Sequence, residues 1–157
     1  MQEKLRVGLI SDTHGLLRPQ ALDYLRGSAH IIHAGDIVDP ATLEQLATLA
    51  PLTAVRGNND RGAWANALPE SVTLTLGGVA IHVIHDLKEL ALDPITEGVR
   101  VVIAGHSHKP ACSEQGGVLY VNPGAAGRRR FKLPVSVGEL LVEDGQVSVR
   151  LVTLDVP

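Results

Sequence analysis

The chain alternates short aliphatic runs with polar or glycine-containing stops. Leu5 to Ile10 is apolar and halts at Ser11-Asp12, the pattern of a buried strand that ends in a polar loop. His30 to Ala34 halts at Gly35-Asp36, and Leu52 to Val55 halts at Gly57-Asn58. Between these runs lie two helical stretches. Pro19 opens the first, which runs to Arg26 and stops at Gly27. Asp39-Pro40 supplies an N-cap and a first-turn proline for the second, which reaches about Leu49. The first third therefore reads βαβαβ, which implies a parallel sheet with right-handed crossovers.

Beyond it, Val72, Leu74 and Leu76 alternate with Thr73 and Thr75, and Gly77-Gly78 joins them to Val79 to Ile84 as a hairpin. That run stops at His85-Asp86, and a helix is predicted over Leu87 to Leu92. Val101 to Ala104 is a further strand, stopping at Gly105-His106, and Val118 to Val121 is another, stopping at Asn122-Pro123-Gly124. Val137 to Val142 and Val147 to Leu154 form a second hairpin around Asp144-Gly145. No repeat, low-complexity tract or linker interrupts the 157 residues, so residues 1–157 read as one domain of two sheets packed face to face with helices outside.

Composition narrows the function. Aromatics are only 3%, namely Tyr24, Trp64, Tyr120 and Phe131, so the core is aliphatic and a base-stacking nucleic-acid surface is disfavoured. Lys plus Arg number 14 against 17 Asp plus Glu, which is not the cationic footprint of an extended nucleic-acid binder. A single cysteine, Cys112, excludes an internal disulfide or a Cys-rich zinc site and reads as an inert small residue. The polar N-terminus and the lack of a long apolar run argue against a signal peptide and a membrane span. A soluble cytoplasmic protein is expected, and a homo-oligomer is compatible with it. Seven histidines are the unusual count.

Several of those histidines stand at strand ends with other metal-competent residues: Asp12 with His14, Asp36, Asn58, His85, and His106 with His108. Each has a plain structural reading alone: a turn, an Asp cap, or a hydrogen-bonded histidine at a strand end. Their joint position changes the weighing. Sites in parallel α/β sheets assemble beyond the carboxyl ends of strands. Carboxylates, an amide oxygen and imidazoles suit Mn, Fe, Co, Ni or Zn. Asp12 and His14 are two apart, so in an extended segment they face the same way, and His106 and His108 share that spacing.

The ordered set Asp12-Thr13-His14, Gly35-Asp36, Gly57-Asn58, His85 and Gly105-His106-Ser107-His108 resembles the calcineurin-like metallophosphoesterases. Within them it resembles the small single-domain bacterial and archaeal phosphodiesterases, of which Asn122-Pro123-Gly124 is also typical. The resemblance spans essentially the whole chain. It implies a four-layer αββα sandwich with a two-metal site at one edge, manganese being the expected ion and iron, nickel, cobalt or zinc the alternatives. One ion would be held by Asp12, His14, Asp36 and His108, and the other by Asp36, Asn58, His85 and His106, with Asp36 bridging. Two divalent ions outweigh the two carboxylates and leave the centre net positive, attractive to a phosphate anion. A bridging hydroxide would attack phosphorus in line, and the substrate would be a small phosphate ester.

The chain departs from the wider pattern at two places. The larger family carries a histidine after the motif asparagine, where this chain has Asn59, and Asp86 stands where glycine usually follows the His85 ligand. Asp86 is read as a helix N-cap before a support for the ligands. Asn59 and Asp60 are candidates for support behind the metal ligands. Arg128 and Arg130, in the run Arg128-Arg129-Arg130 with Lys132, read either as a solvated face or as a contact for a substrate phosphate. His33 reads as core or as packing behind the ligands, His30 and His82 as strand or surface residues, and Trp64 as packing before a stacking lid. Two other functions compete. One is a non-catalytic interaction scaffold, like the retromer subunit that shares the fold but lacks part of the ligand set. The other is a nuclease acting on short oligonucleotides. All seven ligand positions are filled by competent residues, which favours an enzyme.

Overall fold

The structure is a computed structural model that describes residues 4–130 and 132–157; Phe131 lies outside the described residues. Among the described residues, ten strands form two mixed five-stranded sheets. The first comprises β1 (Lys4–Ile10), β2 (His30–His33), β3 (Leu52–Ala54), β9 (Ser136–Glu143) and β10 (Gln146–Thr153), in the order β10-β9-β1-β2-β3. The second comprises β4 (Ser71–Leu76), β5 (Val79–Ile84), β6 (Val101–Ile103), β7 (Ala111–Gln115) and β8 (Val118–Asn122), in the order β4-β5-β6-β8-β7. In each sheet three neighbouring strands run parallel: β1, β2 and β3 in one, and β5, β6 and β8 in the other.

The sheets are held face to face by aliphatic side chains. Val7, Leu9, Ile32 and Leu140 meet Ile81, Val83, Val101 and Ile103, all with no exposed surface. Each such Leu, Ile or Val contributes roughly 1.5–3 kcal/mol by leaving water. On strands with one wet face the alternation is explicit: Val72, Leu74 and Leu76 of β4, and Val147, Val149 and Leu151 of β10, turn toward this core. The outer face of the first sheet is covered by α1 (Pro19–Leu25) and α2 (Pro40–Ala47), whose Ala21, Leu25 and Leu46 pack on Ile10 and Ile31. Both helices start with proline, and Asp39 caps α2 by accepting from the Ala41 N–H.

The layer over the second sheet is thin. The helix predicted over Leu87 to Leu92 is a single 3₁₀ turn, Leu87–Glu89. Asp86 caps that turn through the Lys88 N–H, and Asp93-Pro94 follows too soon for a helix to propagate. Leu90 and Val99 still close over Ile84, Val102, Val118 and Tyr120. Two further elements carry no apolar signal in the sequence: the one-turn helix α3 (Ala63–Asn66) and β7, whose five residues are all exposed. No described helix is long and apolar enough to cross a membrane.

Candidate metal centre

Both parallel halves end at the same rim of the sandwich. Asp12 follows β1, Asp36 follows β2 and Asn58 follows β3, while His85 follows β5 and His106 and His108 follow β6. The first two loops are stitched together by backbone. The N–H groups of Asp12, His14 and Gly15 donate to the carbonyls of Gly35, Asp36 and Ile37 at 2.9–3.0 Å. Asp12, His14, Asp36, His106 and His108 all have left-handed backbone, with φ from 46 to 73°. Each such residue costs on the order of 1–2 kcal/mol, and strain of this kind concentrates where side-chain direction matters. The turns aim the side chains inward: Asp12, Asp36, His85 and His108 are all buried.

The support behind these residues is specific. The Asp60 carboxylate accepts from four backbone N–H groups, those of Asp36, Ile37, Val38 and Gly57, at 2.7–3.0 Å. Asp60 therefore shapes the Asp36 loop and does not face the centre. Asn59 donates twice to Asp36, from its backbone N–H to Oδ1 at 2.9 Å and from its amide to Oδ2 at 3.0 Å. His85 Nδ1 lies 2.7 Å from the Ala34 carbonyl, so it carries the proton and donates it, leaving the Nε2 lone pair to face inward. Ser11 and the His106 N–H both donate to Asp12 Oδ2. Ser11 is a buried support that the sequence reading passed over. Its signal was a polar residue closing an apolar strand.

What remains is a knot of buried polar atoms without a hydrogen-bond partner: Asp12 Oδ1, His14 Nε2, His85 Nε2 and His108 Nδ1. Such atoms cost stability unless a ligand satisfies them. Asp12, His14 and His108 offer ligand atoms within 4.8 Å of one another, and so do Asp12, Asp36 and His85. Asp36 Oδ2 lies 3.4 Å from His14 Nε2 and 3.3 Å from His85 Nε2, between the two groups. At the exposed rim, His106 Nδ1 and Asn58 Oδ1 are 3.2 Å apart. The donor set is oxygen and imidazole nitrogen, which fits a borderline divalent ion.

The charges respond to this crowding. Burial works to raise the Asp36 carboxyl, but the His85 imidazole 3.3 Å away and the hydrogen bonds from Asn59 overcome it and hold Asp36 well below the usual carboxylate range. Burial likewise lowers His85, and its contact with Asp36 reverses the sign, so His85 is raised. His14 is raised, chiefly by the Asp12 carboxylate beside it. Burial lowers His108, with Arg130 adding to the effect. Arg130 also acts on His14, so this exposed guanidinium lies within electrostatic reach of the centre. A Cβ on Gly127 would sit 2.0 Å from the Thr13 carbonyl oxygen, so glycine is what lets this segment lie against the Asp12–His14 loop. Arg128 and Arg129 are exposed.

The remaining expectations sort simply. His33 is fully buried behind the centre: its Nδ1 accepts from the Gly35 N–H, so Nε2 carries the proton facing Thr13 Oγ1. His30 and His82 pair with Thr53 and Thr73 on their sheets. Asp86 caps its turn through Oδ1, and its Oδ2 lies 3.7 Å from His106 Nε2. Trp64 is half-buried on α3, and Cys112 is exposed on β7. Two grooves flank Asp86. One, of about 430 Å³, is polar and includes Arg56, Asn58, Arg61 and Glu70; the other, of about 500 Å³, runs along the outer face of β6 and β8.

Strand-end carboxylates, an amide and histidines thus converge from two stacked sheets on one rim, a donor set that could hold metal ions. The sequence model of the calcineurin-like phosphoesterase superfamily domain matches residues 5–145, and the chain belongs to that superfamily. It is 31% identical over 163 residues to a probable metallophosphoesterase of Methanothermobacter thermautotrophicus, covering 96% of this chain and 94% of that protein. It is 35% identical over 162 residues to another of Methanocaldococcus jannaschii, covering 95% and 81%. Among solved structures, an archaeal phosphodiesterase shares the fold with a TM-score of 0.79 at 22% identity, covering 96% of this chain and 100% of that one. Vps29 of Entamoeba histolytica complexed with Zn²⁺ has a TM-score of 0.71 at 26% identity, with the same coverage. The chain is thus a phosphoric ester hydrolase of a metal-dependent family.

Proposed function

We propose that residues 1–157 form a single catalytic unit, a two-metal phosphodiesterase acting on small phosphate diesters. The observation that carries this reading is the convergence of unpartnered buried oxygen and nitrogen atoms from both sheets. In this reading Asp12, His14, Asp36 and His108 hold one divalent ion. Asp36, Asn58, His85 and His106 hold the other, with manganese the expected metal. The position of Asp36 Oδ2 between His14 and His85 supports its role as the bridge. Divalent ions in such a pair offset phosphate charge and lower the pKa of a bound water to the neutral range.

The chain's own groups do the rest. Asp60 and Asn59 hold the bridging carboxylate in one orientation, and Ala34 fixes the His85 tautomer. In this reading Arg130, whose charge is felt at His14 and His108, draws a phosphate oxygen toward the centre. In this reading the grooves on either side of Asp86 leave room for the two substituents of a diester. The reading places the enzyme in the reducing cytoplasm, which suits its one free thiol, Cys112.

Elemental analysis after manganese reconstitution, paired with an assay on bis(p-nitrophenyl) phosphate, tests this reading. About two ions per chain and hydrolysis are expected. Asp36→Ala is expected to lose both ions and the activity. Arg130→Ala is expected to raise KM with the metal content unchanged. A protein that takes up no metal and hydrolyses no ester would favour the scaffold function. An Asp36→Ala protein that keeps two ions and full activity would sink the ligand assignment.

A further inference from the structure

The groove along the outer face of the second sheet has no part in holding metal. It exists because the segment after Asp86 makes one 3₁₀ turn where a longer helix would have covered the sheet. Its floor is Val102, Ala104 and Tyr120, outward-facing residues of β6, its continuation and β8. Leu87, an exposed large apolar side chain, forms one wall, and Ala111 of the edge strand β7 forms the other. At its inner end stand Asp86 and His106, so the groove opens directly onto the proposed ligand rim. Lys88 and Lys109 also line it, against the single acid Asp86, a balance suited to an anionic molecule.

An apolar trough that begins at a phosphate-binding centre and is flanked by cations matches a molecule with an anionic head and an apolar arm. We infer that this groove is a substrate subsite that takes an aryl or alkyl substituent of the phosphate ester, with Ala111, Tyr120 and Leu87 setting the preference. The inference rests on the phosphodiesterase reading, since the phosphate must sit at the metal centre for the arm to reach the groove.

Alkylphosphonates isolate the arm from the chemistry, because each carries one uncleavable substituent. Binding of methyl-, butyl- and hexylphosphonate to the manganese-loaded protein is measured by isothermal titration calorimetry. At full burial each methylene tightens binding about 4-fold, so a gain of at least about 10-fold from methyl to butyl is expected. Ala111→Trp fills the trough from an exposed edge-strand position that bears on no metal ligand. It is expected to abolish the gain and leave methylphosphonate affinity unchanged. Equal affinity for all three phosphonates in the unmodified protein would overturn the subsite, as would an undiminished gain in Ala111→Trp. If even methylphosphonate fails to bind the metal-loaded protein, the phosphodiesterase reading itself falls and takes the subsite with it.

Discussion

Asn59 stands where the larger family carries a histidine, a side chain that could give a proton to the departing alkoxide or bind the phosphate. Its amide and backbone N–H groups are both occupied by Asp36, and neither titrates near neutral pH. Asp60 is no substitute, because four backbone N–H groups occupy its carboxylate. A positioned general acid contributes about 10²–10⁴-fold, and this site lacks one at that position. Aryl phosphodiesters, whose leaving groups need little protonation, are therefore expected to be hydrolysed much faster than matched alkyl esters. Asn59→His is expected to raise kcat/KM for the alkyl ester by at least about 10-fold while moving the aryl ester less, with metal content checked in parallel. Equal rates for the pair in the unmodified enzyme would show that an acid acts from elsewhere. His33 gives a second prediction at this scale. Burial pushes its pKa down to about 4, so it is neutral in the fold and titrates near 6.5 when unfolded. The unfolded chain thus binds the extra proton between those values. Stability of the metal-free protein is full above pH 6.5 and falls as pH drops toward 4, by about 3 kcal/mol from this residue. His33→Gln keeps only one of the two hydrogen bonds. It is expected to cost about 1–3 kcal/mol at pH 7 and progressively less toward pH 4.5 in urea titrations. A constant difference between the two proteins across that range would refute the assignment.

At the scale of elements, the sandwich depends on how closely helix and strand approach. A Cβ on Gly8, in the middle of β1, would lie 2.6 Å from Leu25 Cδ2 and 2.8 Å from Ser28 Oγ. Helix α1 rests on that bare backbone. Gly8→Ala is expected to push α1 off the sheet and cost about 1–3 kcal/mol, measured as a lower urea midpoint with the slope unchanged. An unaltered midpoint would mean that Leu25 simply turns aside. The strands that build the site were legible in the sequence because they are short aliphatic runs, most of them buried on both faces, that end abruptly in polar residues, as Leu5 to Ile10 does at Ser11-Asp12. The two proline-started helices were legible through their caps. The misreadings fall where local pattern and tertiary demand part. Leu87 to Leu92 has helical composition, but the Asp86 cap and Asp93-Pro94 leave room for one turn. Strand β7 exists through its hairpin pairing with β8 across Gly116-Gly117, and its own exposed, largely polar residues do not announce it as a strand. The ligand side chains were legible from their types and order. The left-handed backbone at Asp12, His14, Asp36, His106 and His108 was not, because each residue adopts it only when the neighbouring loop holds it there.

For the molecule as a whole, the centre spans two sheets that otherwise meet through aliphatic packing. Asp12, His14, Asp36 and Asn58 belong to loops of the first sheet, and His85, His106 and His108 to loops of the second. On the proposed assignment, a ligand set divided in this way makes metal binding a clamp between the halves. It also satisfies the orphaned atoms Asp12 Oδ1, His14 Nε2, His85 Nε2 and His108 Nδ1 in one step. Because the unfolded chain cannot gather these residues, the ion binds the native state alone, and stabilisation follows mass action. At a free manganese concentration 100 times the dissociation constant, one site adds about 2.7 kcal/mol. For a chain of this size that raises Tm by about 5–10 °C, and chelation reverses it. Asp36→Ala from the first sheet and His108→Ala from the second are each expected to shrink the shift sharply, although each removes a single side chain from one half. Differential scanning calorimetry with and without chelator reads this directly. A manganese-binding protein whose Tm does not move would show that the ion binds the unfolded chain as well, and a shift that survives both substitutions would show that the ions are held by other residues.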